Sequence, residues 1–274
     1  MWKPALASPF IPKSILCSVR MMTLRFLGTG TSVGVPTIGC QCAVCSSTDP
    51  HDKRLRASAL IETEQTRILI DIGPDFRQQM LPLEFRKIDA VLLTHIHYDH
   101  VGGIDDLRPF CQFGEVNVYA DAATSRGLMH TVPYCFAENR YPGAPSINLH
   151  TLSHHEVLRV NELEVVPFVV NHGNLPITAF RIGRLAYITD MKTIDASELP
   201  YLLGVEILVL NALRFQPVHH SHQSVDDAIA FARQVGAKRT FLIHVCHDVG
   251  LHQEVNAMLP DDIKLAYDGQ IIAI

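Results

Sequence analysis

Apolar runs of four to eight residues recur along the chain, and loops rich in Gly, Pro, Asn or Asp separate them from segments with helical spacing. Runs of this length, rich in Val, Ile and Leu, predict strands. The predicted strands are Thr23–Leu27, Ala57–Glu62, Arg67–Asp71, Ala90–Leu93, Val116–Ala120, Glu164–Val170, Ala179–Ile182, Leu185–Ile188, Ile207–Leu210 and Thr240–Ile243. The predicted helices are Pro74–Leu81, Ala122–Met129 and a segment from Ser224 to about Val235. The alternation of the two element types indicates an α/β fold.

Local residue chemistry sets the boundaries of these elements. Ser224 followed three residues later by Asp227 is typical of a capping box, which begins the last predicted helix. The Tyr/Pro/Gly-rich stretch 134–143 predicts a long loop. Because no repeat or long Pro/Ser linker divides the chain, we expect one domain over residues 23–274. Residues 1–22 are interpreted as a disordered tail or as an extension caused by a start codon misread upstream.

Composition and charge exclude several classes of protein. The chain has 274 residues, of which 47% are hydrophobic, so it can bury a sizeable core. A formal net charge of -5 argues against extended nucleic acid as a partner. The first 20 residues lack an apolar run long enough for a secretory or membrane-spanning segment. We therefore expect a cytoplasmic protein without membrane partners, and the oligomeric state stays open, with a homodimer as one option.

The segment 94–100, Thr-His-Ile-His-Tyr-Asp-His, places four metal-binding side chains directly after an apolar run. Those side chains are His95, His97, Asp99 and His100. They follow the predicted strand that ends at Leu93, so they should lie on a loop at the rim of the sheet, where α/β folds form their binding crevices. Imidazoles and a carboxylate at this density suit zinc, manganese or iron.

Three later strands also end in a His or an Asp. His172, Asp190 and His244 follow apolar runs in the second half of the chain. One such residue is commonly structural, but together with the first segment they give seven candidate ligands. Seven ligands exceed the needs of one four-coordinate ion and suit two ions that share a carboxylate.

A second cluster contains three of the seven cysteines, Cys40, Cys42 and Cys45. Their spacing is too tight for an ordinary disulfide framework but suits metal thiolates. Thiolates of this kind imply a reducing compartment.

The chain resembles the metallo-β-lactamase superfamily in the segment 94–100 and in the later residues His172, Asp190 and His244. The resemblance covers residues from about 23 to the end and implies an αββα sandwich, a four-layer α/β arrangement with the site at its rim. It also implies that His95, His97 and His172 bind one metal ion, that Asp99, His100 and His244 bind the other, and that Asp190 and a hydroxide bridge the two ions.

A narrower resemblance, to PhnP-type cyclic phosphodiesterases, comes from three segments: residues 39–45 around the cysteines, 221–224 and 242–247. It implies a structural zinc bound by Cys40, Cys42, Cys45 and His247, while Cys246 does not carry over. Three thiolates and an imidazole form a closed tetrahedral shell, which is typical of structural zinc. His222 matches the catalytic histidine of that group. We expect it to have a pKa near neutrality and to donate a proton to the leaving group.

The resulting prediction is a phosphodiesterase for small cyclic or diester phosphates, with two catalytic divalent ions, manganese or zinc, and one structural zinc. A hydroxide generated by the ions would attack phosphorus, with Asp99 and His222 as catalytic residues. His219 and His220 are expected to face solvent. Arg214 and the loop with Tyr134, Arg140 and Tyr141 could contact substrate.

Other functions on the same scaffold stay open. They are a lactonase, a thioesterase, a transfer-RNA 3′-end nuclease, a cofactor-biosynthesis oxygenase resembling PqqB, and a binding module without catalysis. The nuclease is disfavoured by the acidic charge and by the lack of an evident basic arm.

Overall fold

A computed structural model describes residues 22–137, 139 and 141–274. Of the predicted N-terminal extension, residues 1–21 lie outside the described residues, as does Arg140. Met22 belongs to the fold, because its carbonyl accepts a hydrogen bond of 2.9 Å from the backbone N–H of Ile274. The first strand begins at Thr23, the residue at which the sequence predicted it.

The first sheet has seven strands in the order β14-β1-β2-β3-β4-β5-β6. Pairing is antiparallel from β14 to β3 and parallel from β3 to β6. The carboxyl ends of β3, β4 and β5 therefore meet at one edge of the sheet. The strands are β1 (Thr23–Gly28), β2 (Ser58–Glu62), β3 (Arg67–Ile70), β4 (Ala90–Leu92), β5 (Val116–Ala120), β6 (Ile147–Thr151) and β14 (Ile271–Ala273).

The second sheet also has seven strands, in the order β13-β12-β11-β10-β9-β8-β7. It is parallel from β13 to β10 and antiparallel from β10 to β7. Each sheet thus joins a parallel half to an antiparallel half. The strands are β7 (Leu158–Val160), β8 (Leu163–His172), β9 (Leu175–Ile182), β10 (Leu185–Ile188), β11 (Ile207–Asn211), β12 (Arg239–Ile243) and β13 (Ile263–Leu265).

Three apolar clusters arrange the elements in four layers. The central cluster joins residues of both sheets, such as Phe26 and Tyr187, so the sheets pack face to face. A second cluster lies on the outer face of the first sheet, and a third lies on the outer face of the second sheet. The predicted αββα sandwich is confirmed.

The α-helices are α1 (Ala43–Ser46), α2 (Phe76–Met80), α3 (Tyr98–Val101), α4 (Ala122–Thr131), α5 (Val225–Val235) and α6 (His252–Met258). Tight 3₁₀ helices cover Pro50–Asp52, Ile104–Phe113, Pro133–Cys135, Leu199–Leu202 and His247–Val249. The capping box is present, since Ser224 Oγ accepts from the backbone N–H of Asp227 at 3.1 Å. The Pro133–Cys135 turn enters the stretch predicted as an unbroken loop. Within the described residues, no helix has the length and apolar character needed to cross a membrane.

Candidate metal centre

Strand ends deliver the candidate ligands to one place, the shared edge of the two sheets. Asp71 follows β3, Asp190 comes two residues after β10, and His244 follows β12. All three have positive backbone φ angles, of 59°, 54° and 53°. This left-handed conformation is uncommon for residues other than glycine and clusters at functional sites. It turns the chain sharply after each of these three strands.

The segment 94–100 is divided between a loop and a short helix. His95 and His97 lie on the turn after β4, but Asp99 and His100 lie inside α3 (Tyr98–Val101). The prediction that all four ligands sit on a loop is therefore wrong. The chain turns helical because the backbone N–H of His100 bonds to the carbonyl of His97 at 2.9 Å. A Cβ atom on Gly73 would lie 2.1 Å from the Asp99 carbonyl oxygen, so glycine is needed for this close approach.

Each of three histidines has one ring nitrogen engaged by a neighbouring oxygen. His100 Nδ1 lies 2.7 Å from Asp71 Oδ2, and His172 Nδ1 lies 2.8 Å from the carbonyl oxygen of Ser221. His95 Nδ1 lies 3.0 Å from the hydroxyl of Thr94, whose own proton points to Asp71. Nδ1 donates in all three cases, so each Nε2 keeps its lone pair for a metal ion.

The structure brings all seven predicted ligands together. Asp190 contacts two of the other ligands: its Oδ2 is 3.2 Å from His100 Nε2, and its Oδ1 is 3.1 Å from His244 Nε2. The seven ligands fall into three overlapping sets in which the ligand atoms lie within 4.8 Å of one another. The sets are His95, His97 and His172; His95, His100 and Asp190; and Asp99, His100 and His244.

Electrostatics and burial show that this donor set fits divalent cations. His100 Nε2 is buried and makes no hydrogen bond, although Asp99 Oδ2 is only 3.1 Å away. Burial raises the pKa of Asp99, but His100 and His244 outweigh it and hold that pKa well below its usual range. Burial also raises the pKa of Asp190, but His244 and then His100 outweigh that effect and hold this pKa well below its usual range. Two ionised carboxylates and the imidazoles that face them have the chemistry that divalent metal ions prefer in ligands.

The cysteine cluster forms a separate group. Its four ligand atoms lie within 4.8 Å of one another and belong to Cys40, Cys42, Cys45 and His247. His247 Nδ1 lies 3.5 Å from Cys40 Sγ and 3.3 Å from Cys42 Sγ. Hydrogen bonding, first from the backbone N–H of Cys45 and then from His247, lowers the pKa of Cys42 to about 6. A thiol with such a pKa is ready to bind a metal as the thiolate.

His222 lies beside the seven ligands. Its Nε2 is 3.0 Å from Asp190 Oδ1, and His172, Asp190 and His222 also form a group of potential metal ligands. Burial lowers the pKa of His222 to about 4, although the hydrogen bond to Asp190 opposes this shift. The expected pKa near neutrality is therefore corrected, because the imidazole is neutral at pH 7.

His219 does not simply face solvent as expected. Its Nδ1 lies 2.9 Å from His222 Nδ1, and the residue is partly buried. His220 is exposed, in line with the prediction. Arg214 bonds to the carbonyl of Pro217 and to Asp248, so it supports the loop that precedes His219. Tyr134 donates to Asp105 at 2.8 Å, and Tyr141 lies beside Arg108.

A cavity of about 460 Å³ opens beside the ligands. The short turn between β8 and β9 forms one part of its lining, and the segment before His222 forms another. The lining residues are His97, His172, Gly173, Asn174, Leu175, His219, His220 and Ser221. His97 and His172 therefore line an open cavity.

One buried carboxylate of this site carries no assigned role in the sequence analysis. Asp71 was predicted only as the end of a strand, yet it is fully buried and accepts hydrogen bonds from Thr94 and His100. The available signal was the pattern shared with Asp190 and His244, an acid or imidazole one or two residues after an apolar strand.

The comparisons with known proteins agree with this geometry. The family model of the beta-lactamase superfamily domain matches residues 66–245, so the chain belongs to the metallo-β-lactamase superfamily. Membership indicates a metal-dependent hydrolase. Within the superfamily, the chain resembles the PhnP family. A crystal structure named as a new diphosphatase from that family shares 41% sequence identity, has a TM-score of 0.86, and aligns over 93% of this chain and 97% of the other.

Two further relatives carry other names. An octanoyltransferase of Porphyromonas gingivalis is 46% identical over 249 residues, which is 90% of this chain and 51% of that protein. Zinc-bound PqqB from Methylobacterium extorquens has a TM-score of 0.72 at 19% identity, covering 92% of this chain and 100% of PqqB, and shows a shared fold. The chain spans about half or less of the length of the curated relatives it matches.

Proposed function

We propose that the protein is a metal-dependent phosphodiesterase that hydrolyses small cyclic or diester phosphates. The observation that carries the proposal is the position of His222: it lies outside the two triads of the expected ligands and contacts Asp190 beside the cavity. A neutral donor next to a cluster of cations suits an anionic group whose leaving oxygen needs a proton.

The ligands would hold two divalent ions, manganese or zinc. His95, His97 and His172 would bind one ion, Asp99, His100 and His244 the other, and Asp190 both. Two ions at such a site supply Lewis acidity and lower the pKa of water, which favours hydrolysis at phosphorus. Asp99 has a second role in this proposal, because its ionised carboxylate can orient the attacking water through a hydrogen bond.

His222 would act at its Nε2 atom. At pH 7 the neutral ring can donate a hydrogen bond to an oxygen of the bound phosphate. The negative charges of Asp190 and of the substrate both favour the protonated ring, so substrate binding promotes proton uptake at His222. The ring then delivers that proton to the leaving oxygen.

A structural zinc would be bound by Cys40, Cys42, Cys45 and His247. The four ligand atoms leave no position for water or substrate, as is usual at structural zinc sites. His247 is three residues from His244, so zinc would fix the loop that orients His244. This loop links the two metal sites.

The substrate would be small rather than an extended nucleic acid. The cavity of about 460 Å³ suits a phosphate with one sugar-sized or ring-sized group. The net charge of -5 gives no broad surface for a polyanion. A second candidate is a diphosphate, because the similar PhnP-family structure is named a diphosphatase and a diphosphate offers the same anionic oxygens to a metal pair.

The test is a substrate panel with manganese-loaded and zinc-loaded protein. The panel contains bis(p-nitrophenyl) phosphate, a ribose cyclic phosphate, a nucleoside diphosphate, a lactone and an octanoyl thioester. We expect turnover of the phosphodiesters, which a chelator abolishes. His222→Ala should lower the rate by about 10²-fold or more for the ribose cyclic phosphate, but by less for bis(p-nitrophenyl) phosphate, because nitrophenolate leaves without a proton.

The other outcomes are equally definite. Turnover of the diphosphate alone would select the second candidate, and turnover of the lactone or thioester alone would contradict both. Oxygen consumption that requires iron would favour the PqqB-like alternative. His150→Ala is the matched control, since His150 lies on β6 and its ring forms a side-chain hydrogen bond with Asn117 at 2.9 Å. That variant should keep full activity.

A further inference from the structure

The cavity beside the candidate ligands is a cleft whose two walls meet at its base. One wall is the turn between β8 and β9, and the other is the segment 219–221. At the base, His172 Nδ1 lies 2.8 Å from the carbonyl oxygen of Ser221. Gly173 packs against the same residue: its φ angle is 61°, and a Cβ atom there would lie only 3.3 Å from Ser221 Cβ. The two walls are therefore held in a fixed position relative to one another.

Both walls expose surface on which a flat ring can pack. On the first wall, Leu175 lines the cleft and is 37% exposed. On the second wall, the rings of His219 and His220 lie 4.4 Å apart between centroids, with an angle of 36° between their planes, and His220 is exposed. Imidazole faces stack on planar rings, and an aliphatic side chain packs against the opposite face of such a ring. The pair of walls thus matches the two faces of one planar group.

The cleft has no Lys, Arg, Asp or Glu side chain among the described residues that line it. Lys192 and Arg214 act electrostatically on His219 from outside this lining. Each of these cations is already paired, Lys192 with Asp227 at 3.4 Å and Arg214 with Asp248 at 3.2 Å. A second anionic group on a ligand would lose hydration in the cleft and gain no cation in return. The lining therefore favours a group without a charge of its own.

We propose that the cleft binds an uncharged planar ring that the substrate carries next to its scissile phosphate, with Leu175 on one face of the ring, His220 on the other and Asn174 at its edge. This inference rests on the proposed function and narrows its substrate class to phosphodiesters of an aromatic or heteroaromatic group. Sugar phosphates with a second phosphate would fit poorly. The amide of Asn174 offers both a donor and an acceptor, which suits the edge of a nucleobase.

Binding of phosphonates to zinc-loaded protein tests the cleft without catalysis. Methylphosphonate has no ring, benzylphosphonate has a planar ring, and cyclohexylmethylphosphonate has a puckered one. By titration calorimetry we expect benzylphosphonate to bind about tenfold more tightly than methylphosphonate, because stacking of one ring contributes about that factor, and more tightly than the cyclohexyl compound. A gain over methylphosphonate of less than about twofold, or tighter binding of the cyclohexyl compound, overturns the proposal.

Truncation of one wall identifies where the ring binds. Leu175→Ala should lower the affinity for benzylphosphonate about fivefold and change that for methylphosphonate by less than about twofold, since only the ring reaches the leucine. Leu203→Ala is the matched control, because Leu203 is 64% exposed and does not line the cleft, and it should bind both compounds like the wild type. Equal losses for the two compounds in Leu175→Ala would overturn the proposal.

A charge placed on the ring tests the second part of the proposal. The carboxylate of 4-carboxybenzylphosphonate lies at the far end of a rigid ring, so it cannot reach the ions that hold the phosphonate. We expect the wild type to bind this compound more weakly than benzylphosphonate. Asn174→Lys, which adds a cation to the cleft, should reverse that order at low salt. A wild type that prefers the carboxylated compound overturns the proposal.

Turnover distinguishes the two sources of such a ring. Uridine 2′,3′-cyclic phosphate should have a kcat/KM about tenfold above that of the ribose cyclic phosphate, and Asn174→Ala should reduce this advantage if the ring is a base. The proposal stands with an aryl group as the ring if Asn174→Ala leaves the advantage unchanged. Equal kcat/KM values for the two substrates overturn it. Selective binding of benzylphosphonate by a protein that hydrolyses no phosphodiester would refute the proposed function and leave the ring site standing.

Discussion

Asp71 shows how much of the site depends on one buried carboxylate. It accepts from the backbone N–H and the hydroxyl of Thr94, both at 2.8 Å, and from His100 Nδ1 at 2.7 Å. Burial raises the pKa of Asp71 against the opposing effect of His100. Every neighbour is a donor, so an amide would place one of its own N–H groups against a donor. Asp71 therefore determines which nitrogen of His100 is available to a metal ion.

We predict that Asp71→Asn weakens metal binding about 10-fold to 100-fold, the usual cost of losing an outer partner of a metal-binding histidine. Affinity is measured by competition between the protein and a chromogenic chelator for zinc. Asp89→Asn is the matched control, because Asp89 accepts from the backbone N–H of Arg67 at the other end of β3, at 2.9 Å. Equal affinity in wild type and Asp71→Asn, or an equal loss in both variants, would contradict the prediction.

At this scale the sequence alone was enough to name the candidate ligands, but not their supporting contacts. His95, His97, Asp99 and His100 are adjacent in sequence, so one short segment reveals them. Asp71 lies far from them in sequence, and it acts through His100, which folding alone brings near. The pKa of His222 escaped prediction for the same reason, since burial lowers it to about 4.

At the scale of elements, the central strands could be predicted and the edge strands could not. β3, β4, β10 and β12 are apolar on both faces, so their residues stand out as runs. The edge strands β7, β13 and β14 have three residues each, which is too short for any periodicity. β6 reads Ile-Asn-Leu-His-Thr, and only its pairing with β5 makes it a strand. The register with a neighbour is information that a single segment does not contain.

The four-residue helix α1 depends on its side-chain contacts more than on its own hydrogen bonds. Cys42 caps it, accepting from the backbone N–H of Cys45 at 3.4 Å, and His247 lies in the 3₁₀ turn across from it. A helix this short is unstable by itself. The proposed zinc would join the two elements and so stabilise the loop that carries His244.

We predict that Cys42→Ser lowers the zinc content by one ion per chain and lowers Tm by several degrees, because a structural zinc contributes directly to folding. Cys42 is exposed, so the substitution itself removes little packing. Elemental analysis and thermal unfolding give the two values. Cys111→Ser, at a cysteine that accepts from the backbone N–H of Ser146, is the control and should keep its zinc. Unchanged zinc content in Cys42→Ser would refute the structural site.

At the scale of the molecule, the candidate metal centre forms only when both sheets are packed. The first sheet supplies the segment His95–His100, and the second supplies His172, Asp190 and His244.

Asp268 joins distant parts of the chain in a similar way. It precedes β14 and accepts from the Thr29 hydroxyl at 2.7 Å and from the backbone N–H of Leu55 at 2.6 Å. Thr29 in turn accepts from the buried guanidinium of Arg54.

Asp268 makes the stability of the whole fold depend on pH. Burial raises its pKa to about 6, although hydrogen bonds from Leu55 and Thr29 oppose the shift. A carboxyl whose folded pKa exceeds its unfolded pKa stabilises the fold at low pH, and this contribution disappears as the pH rises through about 6. The side chain of Asp268→Asn cannot titrate. We predict that its free energy of unfolding is lower than that of the wild type, and that this difference, the margin, shrinks by about 1 kcal/mol between pH 5 and pH 8. Urea unfolding of both proteins with saturating zinc measures that margin at each pH. A margin that is constant, or that grows toward pH 8, would mean that Asp268 does not have a raised pKa in the folded protein.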